Sequence, residues 1–167
     1  IGGGFIGLEM AENLHHAGLE VTLIEMQNQV MAPVDYEMAQ LLHENMRMNK
    51  VQLILGDGVK SFTNIQGETN ISLASGKSIL VDMVILSIGV KPNSILAKDA
   101  GIAVNQRGGI VVNEYLESNI PHIYAVGDVI EVEHFVLKDK TMIPLAGPAN
   151  KQGRIVADNI TGEHKKY

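Results

Sequence analysis

Small and apolar residues recur at helical spacing from the first residues of the chain. Gly7, Met10, Ala11, Leu14 and Ala17 fall on one face of a helix running from Gly4 to about Ala17. Gly18 ends that helix, because the position after a last turn adopts a left-handed backbone that glycine tolerates. The run V-T-L-I-E, Val21 to Glu25, is short and almost continuously apolar, as a parallel strand covered on both faces requires. Asp35 is placed to cap a second helix, whose Met38, Leu41, Leu42 and Met46 share a face, and Val51 to Leu55 reads as the next strand.

The pattern then changes period. Gly58 to Ile65, Thr69 to Ala74 and Ser78 to Leu80 are strand-like and are joined by Gln66-Gly67 and Ser75-Gly76, two hairpin signals. A small antiparallel meander is expected there in place of a crossover helix. Met83 to Ile88 reads as another buried parallel strand, followed by Gly89 and Pro92. Gly109 to Asn113 and Ile123 to Val126 are expected as strands around a polar loop, the second ending on Gly127-Asp128. Asn150 to Ile160 reads as a helix, preceded by Pro148 and stopped by Gly162. The alternation of helices with apolar strands gives an α/β class, a Rossmann-like parallel sheet carrying an antiparallel meander, with a seam near residues 110 to 115.

Composition removes several function classes. The net charge of -6 over 167 residues argues against a nucleic-acid or an acidic-membrane partner, both of which need a basic face. No apolar run approaches the roughly 20 residues of a membrane span, no signal peptide is visible, and cytoplasm is the default location. Cysteine is absent, so disulfides, thiolate metal sites and thiol catalysis are excluded within these residues. The first residue is Ile1, inside a glycine-rich turn. The expectation is a piece of a longer polypeptide whose leading strand is missing, to be supplied from elsewhere or absent.

That turn carries the first chemistry. I-G-G-G-F-I-G holds Gly2-x-Gly4-x-x-Gly7, in which Gly2 permits the tight turn, Gly4 lets main-chain amides approach a pyrophosphate, and Gly7 lets the helix pack closely. The helix N-terminus adds a partial positive charge worth about 0.3–1 kcal/mol to a nearby anion. Such a pattern alone is weak; here it opens an amphipathic helix leading to a strand that ends in an acid. Glu25 is that acid, about 20 residues on, the spacing of a group that accepts adenosine ribose hydroxyls. A 2'-phosphate at about 4 Å from it would be repelled by about 4 kcal/mol at an effective dielectric of about 20, so NADH is expected over NADPH. No Arg or Lys lies between Glu25 and Arg47 to reverse that.

Other positions are less specific taken singly. Glu9 is expected in the first helical turn, where its carboxylate suits the helix dipole. Phe5 could pack as core or lie as a plate over a ligand ring, and by itself reads as core. Gly127-Asp128 puts a carboxylate at the end of a strand, or simply makes a turn. P-L-A-G-P-A-N-K-Q-G-R, Pro144 to Arg154, places small residues at a helix start whose free amides could face an electron-rich ring. His15 and His16 are adjacent and diverge, while His43, His122, His134 and His164 are scattered and expected to be exposed. The eight methionines mostly fit core positions. Neither a metal site nor a Ser-His-Asp or two-carboxylate arrangement is expected, and no catalytic residue is assigned.

In order, G-G-G-F-I-G-L-E, strand-end Glu25, S-I-G-V-K-P-N, Y-A-V-G-D and P-L-A-G-P-A-N-K-Q-G-R resemble the pyridine nucleotide–disulfide oxidoreductase family, nearest its coenzyme A-disulfide reductase and NADH oxidase branch. The resemblance spans nearly the whole chain. It implies FAD and NAD(H) as cofactors, with residues 1–112 as most of an NAD(H)-binding domain and 113–167 as the C-terminal part of an FAD-binding domain. It implies that Gly2, Gly4 and Ile6 line the pyrophosphate and Glu25 holds the ribose. Glu9 would approach the nicotinamide carboxamide, Gly89 would lie beside the nucleotide, and Phe5 would gate nicotinamide from flavin. Asp128, following Gly127, would bond the ribityl chain, and Leu145, Ala146 and Ala149 would approach the isoalloxazine.

The implied reaction passes hydride from NADH to FAD and then reduces a small-molecule disulfide or an oxygen species, in a homodimer. The family's redox cysteine has no counterpart here, so the isolated chain is expected not to turn over and to bind FAD weakly or not at all. An NADH-dependent reductase of a ferredoxin- or rubredoxin-type protein and a non-catalytic NADH-sensing Rossmann module are the alternatives. The sensor is disfavoured because it has no need of Y-A-V-G-D and P-L-A-G-P-A.

Overall fold

The helical stripe on the glycine turn produces α1 (Phe5–His16), which buries Gly7 and Ala11 and ends before Gly18 at φ +88°. In this computed structural model, which describes residues 1–167, α1 is followed by β1 (Thr22–Glu25), α2 (Tyr36–Met48) and β2 (Gln52–Leu55). β1 and β2 pair in parallel from Thr22 with Gln52 to Glu25 with Leu55, so α2 is their crossover. Successive side chains of a strand point to opposite faces. Leu23 accordingly enters a core with Ala11, Val30, Met31 and Val51, while Ile24 enters a second with Ile71 and Leu73.

The meander forms as expected, with β3 (Val59–Ile65), β4 (Glu68–Leu73) and β5 (Ser78–Val81) antiparallel in that order. Its first turn holds Gln66 at φ +54° and Gly67 at +99°, the two consecutive left-handed residues that a tight hairpin twist demands.

Two expectations fail in this part of the chain. Met83 to Ile88 is not a buried strand: Met83, Leu86 and Ile88 are exposed, and no ladder is assigned there. The segment pairs only with Ile1, whose nitrogen donates to the Ile85 carbonyl at 2.8 Å and whose carbonyl accepts from Ser87 N–H at 2.7 Å. Gly2 N–H in turn donates to the Ile24 carbonyl at 2.9 Å, so Ile1 and Gly2 thread between β1 and residues 85–87. One bridging residue does not make a ladder. The buried stripe of α2 is also displaced by one position: Ala39 and His43 are buried and Leu42 and Met46 half-buried, whereas Met38 and Leu41 are exposed. The covered face follows 39, 42, 43 and 46 rather than the most apolar residues. Of the methionines, Met26, Met38, Met48 and Met83 are exposed and Met31 is buried.

The chain divides into two compact units, Ile1–Gly89 and Val90–Tyr167. The second contains α3 (Ile95–Asp99), β6 (Ile110–Val111), β7 (Ile130–Glu133), β8 (Lys140–Thr141) and α4 (Ala146–Ile160). β6 runs parallel to β7, and β7 antiparallel to β8, over a core of Ile110, Val112, Leu116, Ile130 and Val132. Ala97, Ile102 and Val104 pack on that core, so the division between the two compact units falls at 89/90. Residues 123–126 form no strand; a single bridge joins Tyr124 to Glu117, and Gly127–Val129 is a 3-10 turn leading into β7. α3, β7 and β8 lie outside the sequence expectation. α4 starts at Ala146, four residues before Asn150, with Pro148 inside its first turn, where no intrahelical N–H is needed.

Candidate nucleotide site

Ile1 to Gly7 make a turn that only glycine can build. Gly2 sits at φ +101°, and a Cβ there would run into the Ser87 carbonyl oxygen. A Cβ on Gly7 would run into the Gly2 carbonyl oxygen. Gly4 differs. It is the N-cap residue of α1 at φ −78°, with nothing within 4 Å of an added Cβ. Gly4, Phe5 and Ile6 are all exposed, Phe5 at 61%. The first-turn N–H groups of α1 lack intrahelical acceptors and face an open shelf at the positive end of a helix, a preformed anion site. Phe5 is therefore not core, because the first turn stands clear of the sheet. Glu9 is exposed and, since α1 starts at Phe5, belongs to the second turn rather than the first.

Glu25 closes this site from the end of β1. Its Oε2 accepts from Gly3 N–H at 2.6 Å and its Oε1 from Gln27 N–H at 2.8 Å. The carboxylate is half-buried, and each oxygen keeps a second lone pair for a hydroxyl. The loop after β1 folds back on the same turn: Met31, at φ +51°, donates its N–H to the Gly3 carbonyl at 2.7 Å. Gly89, at φ +110°, is exposed two residues beyond the Ser87 carbonyl that abuts Gly2.

His43 is buried, against the sequence expectation of exposure. It is 1% exposed, its Nε2 accepts from Val30 N–H at 3.1 Å, and its Nδ1 lies 3.3 Å from Gln40 Oε1. Burial, and secondarily the Arg47 charge, lowers its pKa below the ordinary histidine value. The signal available was position: residue 43 lies on the 39, 42, 46 stripe.

A separate groove of about 560 Å³ is lined by Ile1, Met10, Leu14, Leu23, Val81 and Val84 among others, but not by Gly4 or Glu25. Its lining also holds Glu20 and Asp82 and no Lys or Arg, which does not suit a diphosphate.

In the second unit Gly127, at φ +84°, donates its N–H to Gln152 Oε1 at 2.7 Å, and Gln152 is 1% exposed. An added Cβ on Gly127 would lie 4.0 Å from that of Ala149, so the turn bearing exposed Asp128 rests against the first turns of α4. Leu145 is the N-cap of α4 and Ala146 its first residue, both exposed. The structure thus brings Gly127, Asp128, Leu145, Ala146 and Ala149 to one helix N-terminus. Gln152, the buried amide joining them, was not singled out in the sequence.

Residues 1–153 match the family model described as pyridine nucleotide-disulphide oxidoreductase. An NADH oxidase of Methanocaldococcus jannaschii is 38% identical over 100% of this chain and 37% of its own length. A coenzyme A disulfide reductase of Staphylococcus epidermidis is 32% identical over 97% of this chain and 36% of its own. The crystal structure of reduced Bacillus anthracis CoADR-RHD superposes with a TM-score of 0.91 at 53% identity, covering 99% of this chain and 30% of that one. The chain thus spans little more than a third of the curated relatives it matches. With a family match over residues 1–153, the chain belongs to the pyridine nucleotide-disulphide oxidoreductases.

Proposed function

We propose that the first unit binds NADH, with the pyrophosphate on the shelf formed by Gly2, Gly4, Ile6 and Gly7 and the adenosine ribose on Glu25. The observation that carries this reading is the bond between Gly3 and Glu25 beside the open space at Gly4, which puts anion donors and a hydroxyl acceptor in one rigid piece. Glu9 and the exposed ring of Phe5 would serve the nicotinamide end, and Gly89 would lie beside the nucleotide.

Residues 113–167, which lie within the second unit, would be the C-terminal part of an FAD-binding domain, and residues 1–112 most of the NAD(H)-binding domain. Asp128 would take the ribityl hydroxyls, and the backbone of Leu145, Ala146 and Ala149 would offer free amides to the flavin edge. That fit is chemical: a carboxylate for hydroxyls, and a helix N-terminus for electron-rich ring atoms. NADH and FAD, when bound, supply hydride transfer between nicotinamide and flavin, with electrons then leaving to a disulfide or an oxygen species. The chain has no cysteine, so it offers no thiol of its own to such a relay, and isolated it should not turn over.

Calorimetric titration of NADH into the folded chain tests the first half. One site per chain is expected. No heat from a sample that melts cooperatively would overturn the assignment.

A further inference from the structure

We propose that His43 is a positioning residue of the nucleotide site: as the neutral Nδ1–H tautomer it holds the loop of residues 26–34 against Gly3, and so keeps Glu25 and the glycine turn in register. The inference rests on the reading of Gly2–Gly7 and Glu25 as that site.

The tautomer follows from the partners. A main-chain N–H can only donate, so Nε2, 3.1 Å from Val30 N, carries no proton. Nδ1 then carries it and points at Gln40 Oε1, an acceptor. One residue along, Met31 N–H donates to the Gly3 carbonyl, and Gly3 N–H donates to Glu25 Oε2. Glu25 Oε1 accepts from Gln27 N–H at the start of the same loop. These bonds make a closed ring: Glu25, the loop, Gly3, and back to Glu25. His43 is the one side chain from α2 that bonds to that loop at its buried point, Val30, which is 0% exposed. Met31 holds a left-handed backbone that a non-glycine residue adopts only under constraint, and its two neighbouring bonds supply the constraint.

Protonation undoes this. A proton on Nε2 faces a donor at Val30, and the loop must move or the charge must leave. The charged groups on the surrounding elements are Arg47, one turn further along α2, exposed Glu37 and Glu44 on the same helix, Asp35 at its head, Glu25 at the end of β1, and exposed Glu9 and Glu12 on α1. The loop from Gln27 to Val34 has no ionisable side chain. Arg47 is the one charge that bears on the imidazole, and it disfavours the cation.

The test follows NADH affinity by calorimetry from pH 8 to pH 5 in three proteins. For the native chain, affinity is expected to be flat above the ordinary histidine range and to fall below it, approaching about tenfold per pH unit, as binding that requires one deprotonated group does. His43→Leu removes the acceptor and should bind about tenfold more weakly at neutral pH, a loss typical of one unmade buried hydrogen bond. His43→Gln restores an acceptor that does not titrate; it should recover most of that affinity and lose the acid limb. Amide exchange at Val30 and Met31, read by NMR without ligand, gives an independent arm: protection should collapse in acid for the native chain and persist for His43→Gln. An acid limb that survives in His43→Gln, or His43→Leu binding as the native chain does, would overturn the proposal. Absence of NADH binding in all three proteins would sink the nucleotide reading, with the exchange arm still judging His43.

Discussion

Gly3 donates its N–H to Glu25 Oε2 at 2.6 Å, which locks the turn at the head of the α1–β1 unit to the acid at its end. On the proposed reading, ribose selectivity would rest on a carboxylate that its two main-chain bonds already hold in place. NADH should bind more tightly than NADPH, because a 2'-phosphate must approach this fixed negative charge at a cost of up to about 4 kcal/mol. Glu25→Ala should weaken NADH and narrow the gap between the two coenzymes. Parallel titrations of both nucleotides check this; equal affinities in the native chain would contradict it.

The glycines should separate by experiment. Gly2→Ala and Gly7→Ala force a methyl into main-chain oxygen, and Gly2 also has a left-handed backbone. Each should destabilise the first unit by about 1–3 kcal/mol or more in urea melts, as overpacking does. Gly4→Ala meets nothing and should cost less than about 1 kcal/mol, as an exchange at a helix N-cap. Its effect belongs on nucleotide binding, since the added methyl occupies the shelf.

In the second unit, Asn159 is the buried side chain to alter. Its Nδ2 donates to the carbonyls of Tyr115 and Lys165, both at 2.9 Å, and its Oδ1 accepts from Lys165 N–H at 2.7 Å. Removing it strands three main-chain groups. Asn159→Ala should cost about 2 kcal/mol or more, read as a lowered denaturation midpoint, and should loosen the C-terminal residues first.

Acid should weaken the first unit through His43. His43 has a lowered pKa in the fold, so the unfolded chain takes up its proton first. Stability from this group is complete above the unfolded value of about 6.5 and is lost as pH falls from there toward the folded value. Thermal melts between pH 7.5 and pH 5 should show the decline, and His43→Gln should make it shallower, leaving the share of the Ile1 amino group, whose pKa burial also lowers.

Much of this was legible in the chain. Period and punctuation located α1, β1 and the meander, because each is set by local residues: a glycine stop, an apolar run, a Gln-Gly turn. The α/β class and the Rossmann-like pairing followed from the same signals. What depended on partners was less visible. Residues 83–88 have a strand's composition but only Ile1 beside them, and residues 123–126 find only one bridge. His43 looked like a solvent histidine because hydropathy ranks Met38 and Leu41 above it. The helix instead turns Ala39 and His43 inward, where a lone N–H at Val30 needs an acceptor. Gln152 escaped notice for the same reason, since its value lies in a single donor 25 residues away in sequence. The turn of Gly2, Gly4 and Gly7 and its closeness to Glu25 were legible because their spacing is itself the geometry.

Adjacent Leu23 and Ile24 are each 2% exposed yet belong to different cores. A single inserted or deleted residue in β1 would exchange their faces and empty both interiors at once. The length of this strand is thus frozen, and on the proposed reading any shift of coenzyme preference would fall to the side chain at position 25 or those in the loop behind it.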